Sequence, residues 1–424
     1  MDGTTPTSTS VAEPPLAVVH LKPLHNTPWN SYSWRTKPVL QAVEYGNPHE
    51  LDSTCALLSR LPELVSQADV ESARKAFHNV ALGKAFIVQG GDCAESFMDV
   101  SYASVHGHMA LLATEAAIMS KAMGGIPVLE VGRIAGQYAK PRSQPLEVLP
   151  SGDIVPSFRG ENVHSPDPQQ RTPDTDRLVL GYVHASRRLQ LIAQVRQAQS
   201  LEYNISKPFY TSHEALHLPL EAAFTKGPYN TSATFLWIGA RTADLDGAHV
   251  EYMRGLRNPI GVKISPSASP ESIVRMLDVL CPDKKGSWGR VVLISRLGSS
   301  KVAQLLPPLV RAVQLSGHMP VWLCDPCHGN TETTANGHKT RRVSNMLQEL
   351  QETYVVHRSM RSHLGGIHLE QSGQMVTECM DPDRVTELHH LRARYETLCD
   401  PRLAKDQAVS LVQQFADFVT SYTE

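Results

Sequence analysis

The chain has 424 residues, 41% of them hydrophobic, and a formal net charge of −2. That length holds one large domain with an extra segment, or two domains. A balanced charge with no basic cluster excludes a nucleic-acid or anionic-membrane surface as the main role, and no apolar run approaches the length of a membrane span.

Residues 1–15 are rich in Thr, Ser and Pro, without a basic or an apolar stretch, so they read as a disordered tail rather than a secretory signal. The cysteines are odd in number, seven, and widely scattered, which predicts a reduced, cytoplasmic protein rather than a disulfide framework. Residues 16–79 read as an N-terminal extension that packs on the main domain. They carry Trp29, Trp34 and one helix around Glu50–Ala68.

From residue 84 a rhythm begins. Short apolar runs occur at 85–89, 126–131, 209–212, 234–238, 260–264, 291–295, 321–324 and 367–369. Helical patterns alternate with them at 102–123, 178–198, 244–257, 270–280, 299–316 and 339–353, and a last one covers 404–421. Eight strands, each followed by a helix, is the count of a (β/α)8 TIM barrel, here spanning 80–424 with its N-terminal extension. An open doubly wound sheet also alternates, but neither G-x-G-x-x-G nor a P-loop is present.

The polar residues fall just after the apolar runs. They are Asp92 and Cys93; Arg133, with Lys140, Pro141, Arg142 and Ser143; His213 and Glu214; Ala240 and Arg241; Lys263; Arg296; Asp325 and His328; and His368 and Glu370. In a barrel these tips share one mouth. Cys93, His328 and Glu370, with Asp400 near the C-terminus, form a candidate ligand set. Thiolate, imidazole and carboxylate together suit a borderline divalent ion. Taken singly, each is more often an ordinary core or surface residue, because scattered ligands lack local spacing. Cys324 to His328 matches the haem motif C-x-x-C-H, but haem attachment needs export. Cys327 therefore reads as packing. Cys399 abuts Asp400, close enough in sequence to bring a disulfide with Cys93 within reach once metal is removed; thiol counting with and without chelator would detect it.

Arg133, Lys140, Arg142, Arg241, Lys263 and Arg296 aim six cations at that mouth, which predicts phosphate or carboxylate ligands. Some of these cations can equally serve as structural ion pairs. A divalent metal beside a polyanion pocket fits aldol-type condensation, phosphoryl transfer or metal-assisted hydrolysis.

Five stretches carry a resemblance: Gly90–Glu95, Arg133–Ser143, Asp325–Asn330, Gly365–Glu370 and Cys399–Leu403. Together they resemble class II 3-deoxy-D-arabino-heptulosonate 7-phosphate (DAHP) synthases, from about Trp29 to the C-terminus. The resemblance implies condensation of phosphoenolpyruvate with erythrose 4-phosphate, the entry step of the shikimate pathway. It implies one divalent metal ion on Cys93, His328, Glu370 and Asp400, with Mn2+ or Co2+ in first place and Mg2+, Fe2+ or Zn2+ as alternatives. It implies phosphoenolpyruvate on Arg133, Ala240, Arg241, Lys263 and Arg296, and erythrose 4-phosphate on Lys140, Pro141, Arg142 and Ser143. Lys263 and His328 are the implied catalytic residues, and a homo-oligomer without nucleic-acid or membrane partners is expected.

Three departures from the family pattern stand out. Ala240 replaces a Glu in Gly-Glu-Arg-Thr, Cys327 stands where Met is usual, and the interval around Gln197–Lys207 is too short for the additional helix pair of feedback-regulated members. The last departure implies weak or no aromatic amino-acid inhibition and suits secondary metabolism. Two rival readings follow: an aminoDAHP synthase, for which changes near Ala240 and Ser299 leave room, and a catalytically silent paralogue.

Overall fold

The computed structural model describes residues 28–149, 152–203, 207–335, 337–381 and 388–423. The tail at 1–15, and 16–27 of the extension, lie outside the described residues. Eight parallel strands close into a barrel in chain order. They are β1 (Phe86–Gly91), β2 (Val128–Arg133), β3 (Phe209–Glu214), β4 (Phe235–Ile238), β5 (Ile260–Ile264), β6 (Val291–Ser295), β7 (Val321–Cys324) and β8 (Gly366–Glu370). β8 pairs with β1, matching Gln89 to His368 and Gly91 to Glu370. Buried on both faces, such strands are near-continuous apolar runs, which is why they are visible in the sequence.

The expected helix around Glu50–Ala68 is two helices, α1 (Pro48–Leu58) and α2 (Gln67–Ala81). Pro62 cannot continue a helix. Ser66 then starts the second: its hydroxyl accepts from Asp69 N at 3.1 Å, while the Asp69 carboxylate accepts from Ser66 N at 3.0 Å. α2 plugs the N-terminal end of the barrel. Its Ala73, Phe77 and Val80 join Ile87, Phe235, Val292 and Leu323 in one buried cluster, and the rings of Phe77 and Phe235 are 5.0 Å apart.

Around the barrel run α3 (Tyr102–Ala122), α4 (Asp176–Tyr203), α5 (Leu218–Ala223), α6 (Ala248–Arg254), α7 (Pro270–Leu280), α8 (Val302–Ser316), α9 (Val343–Ser359) and the closing helix Lys405–Thr423. The stretch expected as a helix from 339 begins differently. Lys339–Arg341 pairs antiparallel with Thr331–Thr333 as a hairpin, and α9 starts only at Val343. The helix expected over 244–257 is likewise shorter, because Gly247 and Gly255 bound it.

The barrel interior changes character along its axis. Above the apolar plug, Gln89 Nε2 donates to Ser212 Oγ at 2.9 Å, and the Gln89 Oε1 takes His368 Nδ1 at 2.6 Å. His368 Nε2 lies 2.6 Å from an Arg133 nitrogen. Burial first, then Lys263 and Arg133, push the His368 pKa well below its ordinary value. The ring is therefore neutral, accepting from Arg133 and donating to Gln89. This polar layer forms the floor of the mouth.

Candidate active site

The loops after β1 and β2 are tied together by one carboxylate. Glu95 accepts from the backbone N–H groups of Ala135, Gly136 and Gln137 at 2.9, 2.8 and 2.7 Å. Ala135 is held at φ 65° in this turn. The C-terminal segment is clamped to the same rim, because Arg402 donates to Asp92 Oδ1 at 2.6 Å and to Glu378 at 2.7 Å. These contacts bring sequence-distant tips into register around Cys93.

There, Cys93 Sγ and one oxygen each of Glu370 and Asp400 lie within 4.8 Å of one another. His328 Nε2 is 3.2 Å from Glu370 Oε1. Atoms bonded at about 2.0–2.3 Å to one ion stand roughly 3–4 Å apart, so a single cation could bridge Cys93, Glu370 and Asp400; His328 borders this set through Glu370 and is not one of its three members. Asp325 orients the imidazole: its Oδ2 lies 2.7 Å from His328 Nδ1, leaving Nε2 toward the cluster. Burial pushes the Cys93 thiol well above its ordinary range, and Cys399 and Glu370 add to this. A cation arriving there must displace a proton. Cys93 and Cys399 are free thiols side by side, sharing a small apolar cluster with Phe158.

Burial alone would raise the Glu370 and Asp400 carboxyls. His328, Lys140, Arg341 and Arg133 outweigh it at Glu370, and Lys140, Lys339 and Arg341 do so at Asp400, so both stay ionised. The contacts are direct. Glu370 takes Arg133 at 2.9 Å, Arg341 at 2.7 Å and Lys140 at 3.3 Å; Asp400 takes Lys339 at 2.7 Å and Lys140 at 3.4 Å.

Beside this cluster opens a cleft lined by Arg133, Lys140, Pro141, Glu214, Trp237, Ala240, Arg241, Lys263, Arg296, His328, Lys339 and Asp400. Its wall holds six cationic side chains against two carboxylates. Arg296 donates to the His328 carbonyl at 3.0 Å, and Arg241 donates to Ser143 Oγ at 2.6 and 3.1 Å. Those partners are neutral, so both guanidiniums keep their charge for an anion. Lys263 pairs with Asp325, and the guanidinium of Arg133 lies 5.1 Å from the centre of the Trp237 ring. Two of the expected contacts, Arg142 and Ser143, are not among the residues lining the cleft: Arg142 turns to Glu147 at 2.9 Å, and Ser143 reaches the cleft's edge through Arg241.

Sequence reading placed Asp325 and Glu214 at the mouth without giving them a role, and missed Trp237, Lys339 and Arg341 as members of this site. Asp325 sits inside a quoted motif beside His328 and carried a signal. Lys339 and Arg341 arrive on the hairpin that was expected to be helix, and Trp237 reads as core.

Fold and cleft define a class: a barrel enzyme that handles small anionic substrates beside a candidate metal centre. The class-II DAHP synthetase family model matches residues 29–208 and 194–416, and the chain belongs to that family. It is a DAHP synthase, acting at the first step of the shikimate pathway. Among its relatives, the phospho-2-dehydro-3-deoxyheptonate aldolase of Neurospora crassa is 37% identical, over 92% of this chain and 94% of its own. The enzymes of that name from Streptomyces coelicolor and Mycolicibacterium smegmatis are 36% and 34% identical, over 89% and 90% of this chain and 95% and 93% of their own. No helix among the described residues is long and apolar enough to cross a membrane.

Proposed function

We propose that Cys93, His328, Glu370 and Asp400 hold one divalent cation, Mn2+ or Co2+ in first place, and that the cationic cleft holds the two phosphorylated substrates side by side. The observation that carries this is the convergence of Cys93, Glu370 and Asp400 on one point at the edge of the six-cation cleft. When bound, such an ion supplies Lewis acidity toward the aldehyde oxygen of the acceptor.

Arg133, Lys263 and Arg296 hold the carboxylate and phosphate of phosphoenolpyruvate, with Arg241 and the backbone N–H of Ala240 at the phosphate. A backbone donor needs no particular side chain, so Ala serves there as well as Glu. Lys140, Pro141 and Ser143 receive erythrose 4-phosphate, and Arg142 shapes that loop through Glu147. By offsetting the repulsion of two polyanions, the cleft lets the enol carbon reach the aldehyde carbon. Water then adds at C2 and phosphate leaves. Lys263 is the proton-transfer group, since burial and Arg133 lower its pKa to about 8 against the opposing pull of Asp325. His328, held by Asp325, presents Nε2 to the metal centre.

Feedback by aromatic amino acids is weak or absent in this reading, which suits secondary metabolism. In support, α4 runs unbroken over Asp176–Tyr203, and only residues 204–208 separate it from β3. The rest of the short interval, 204–206, lies outside the described residues.

The test is a phosphate-release assay on metal-stripped, then Mn2+-reconstituted protein. Phosphoenolpyruvate is offered with erythrose 4-phosphate or with its amino analogue, and aromatic amino acids are then added. Release with erythrose 4-phosphate, restored by metal and unchanged by the amino acids, is expected. Turnover of the amino analogue alone would establish the aminoDAHP reading instead, and release that ignores the metal would remove the cation from the account.

A further inference from the structure

The arm before the barrel is fixed at three points. Trp29 Nε1 donates to the Tyr252 carbonyl at 3.0 Å. Its indole covers Gly255, where an added Cβ would come within 2.0 Å of the ring. Trp34 is buried in the large apolar cluster with Leu218, Ala248 and Leu256, and Pro38 O accepts from Ala248 N at 3.0 Å. The chain then turns at Gln41, whose φ of 60° lies in the left-handed region that favours glycine.

What the turn delivers is a side-chain oxygen. Gln41 Oε1 accepts from Arg142 N at 2.9 Å. On the other side of the loop, Lys140 N donates to Arg159 O at 2.9 Å. The Arg159 guanidinium returns to the arm, donating to the carbonyls of Ala42, at 2.9 Å, and Gln41. Pro141 has no N–H. Both amides of the segment 140–142 are therefore bound, one by Gln41 and one by a residue that itself grips Gln41. The side chains of this loop face the chemistry: Lys140 meets Glu370 and Asp400, and Ser143 meets Arg241.

We infer that Gln41 is a positioning residue that sets the loop Lys140–Ser143 for the aldehyde phosphate, making the arm a working part of the active site. The inference rests on the reading above that this loop receives the acceptor. Glycine at position 41 satisfies the backbone, so a glutamine held there against its preference is explained by the bond that its side chain makes. Losing that bond frees the Arg142 amide and blurs the acceptor's approach; of the phosphoenolpyruvate contacts, Arg241 borders the loop through Ser143, while Lys263 and Arg296 are held elsewhere, by Asp325 and the His328 carbonyl.

Three variants separate positioning from stability. Gln41→Ala and Gln41→Gly remove the oxygen, Gln41→Gly also relieves the backbone, and Gln41→Glu keeps an acceptor. In the metal-loaded enzyme without substrate, hydrogen exchange at the Arg142 amide is expected to accelerate by about tenfold in the Ala and Gly variants and to stay near wild type in Gln41→Glu. The KM for erythrose 4-phosphate should rise by about five- to tenfold in the same two variants, with the KM for phosphoenolpyruvate within about twofold of wild type. Gln41→Gly should melt no lower than wild type while showing the full defect. Unchanged exchange in Gln41→Gly, or the two KM values rising together, overturns the inference. Should wild type not use erythrose 4-phosphate, the substrate assignment falls, and the exchange data alone still decide the clasp.

Discussion

Replacing Cys93 by Ser is expected to lower condensation by about a thousandfold or more while leaving the barrel folded. The sulfur is fully buried at the point where Glu370 and Asp400 converge. A serine hydroxyl fills nearly the same space, so packing survives. It does not ionise at neutral pH, however, and offers a divalent ion a weak neutral oxygen in place of a soft thiolate. Cys93 is a better probe than Glu370. That carboxylate is the shared counter-ion of Arg133, Lys140 and Arg341. Glu370→Gln would leave buried cations uncompensated, at a cost of about 3–5 kcal/mol, and would mix unfolding with loss of metal. For Cys93→Ser, steady-state rate and thermal melting read together give the answer. A rate within about tenfold of wild type at unchanged Tm would count against a thiolate ligand.

The second large effect falls on Lys263. Burial pulls its pKa down to about 8 despite the opposing Asp325. Below that pH it is charged in the free enzyme and, in the function proposed above, attracts phosphoenolpyruvate; above it the charge is lost. The kcat/KM for phosphoenolpyruvate is therefore expected to be level below about pH 7 and to fall toward tenfold per pH unit above about 8. In kcat the limb should move upward, since a bound anion favours the protonated amine. Lys263→Met should lose about a thousandfold at pH 7 and show no such limb. Lys263→Arg should recover part of the binding and stay level through pH 9, because guanidinium keeps its proton. A limb near pH 8 that persists in Lys263→Arg would assign it to another group.

The strands were legible because a strand buried on both faces has to be apolar throughout, and polar residues then mark its exit. β5, β6 and β7 match their expected runs residue for residue. The helices around residues 50–68 and 339–353 were less so, because helical periodicity does not register a break that chain topology imposes. Pro62 marks the first break, and nothing local marks the Lys339–Arg341 strand. That second miss concealed two cations, one of them, Arg341, fully buried against Glu370. Charge counting also overstated the free positive charge. Arg133 and Lys140 are partly neutralised by Glu370 and Asp400, and Arg142 by Glu147. Sequence gives the sign of each charge but not its partner. Gln41 shows the same limit: only the folded arm brings its amide oxygen to a loop 101 residues later.

One titration bears most directly on the centre at Cys93. Cobalt(II) added to metal-stripped protein should bind at one equivalent per chain and raise a thiolate-to-cobalt charge-transfer absorption in the near ultraviolet. The same titration of Cys93→Ser should leave that absorption absent. A full band in the serine variant, or no band in the wild type at any cobalt concentration, would contradict a cation held by that sulfur.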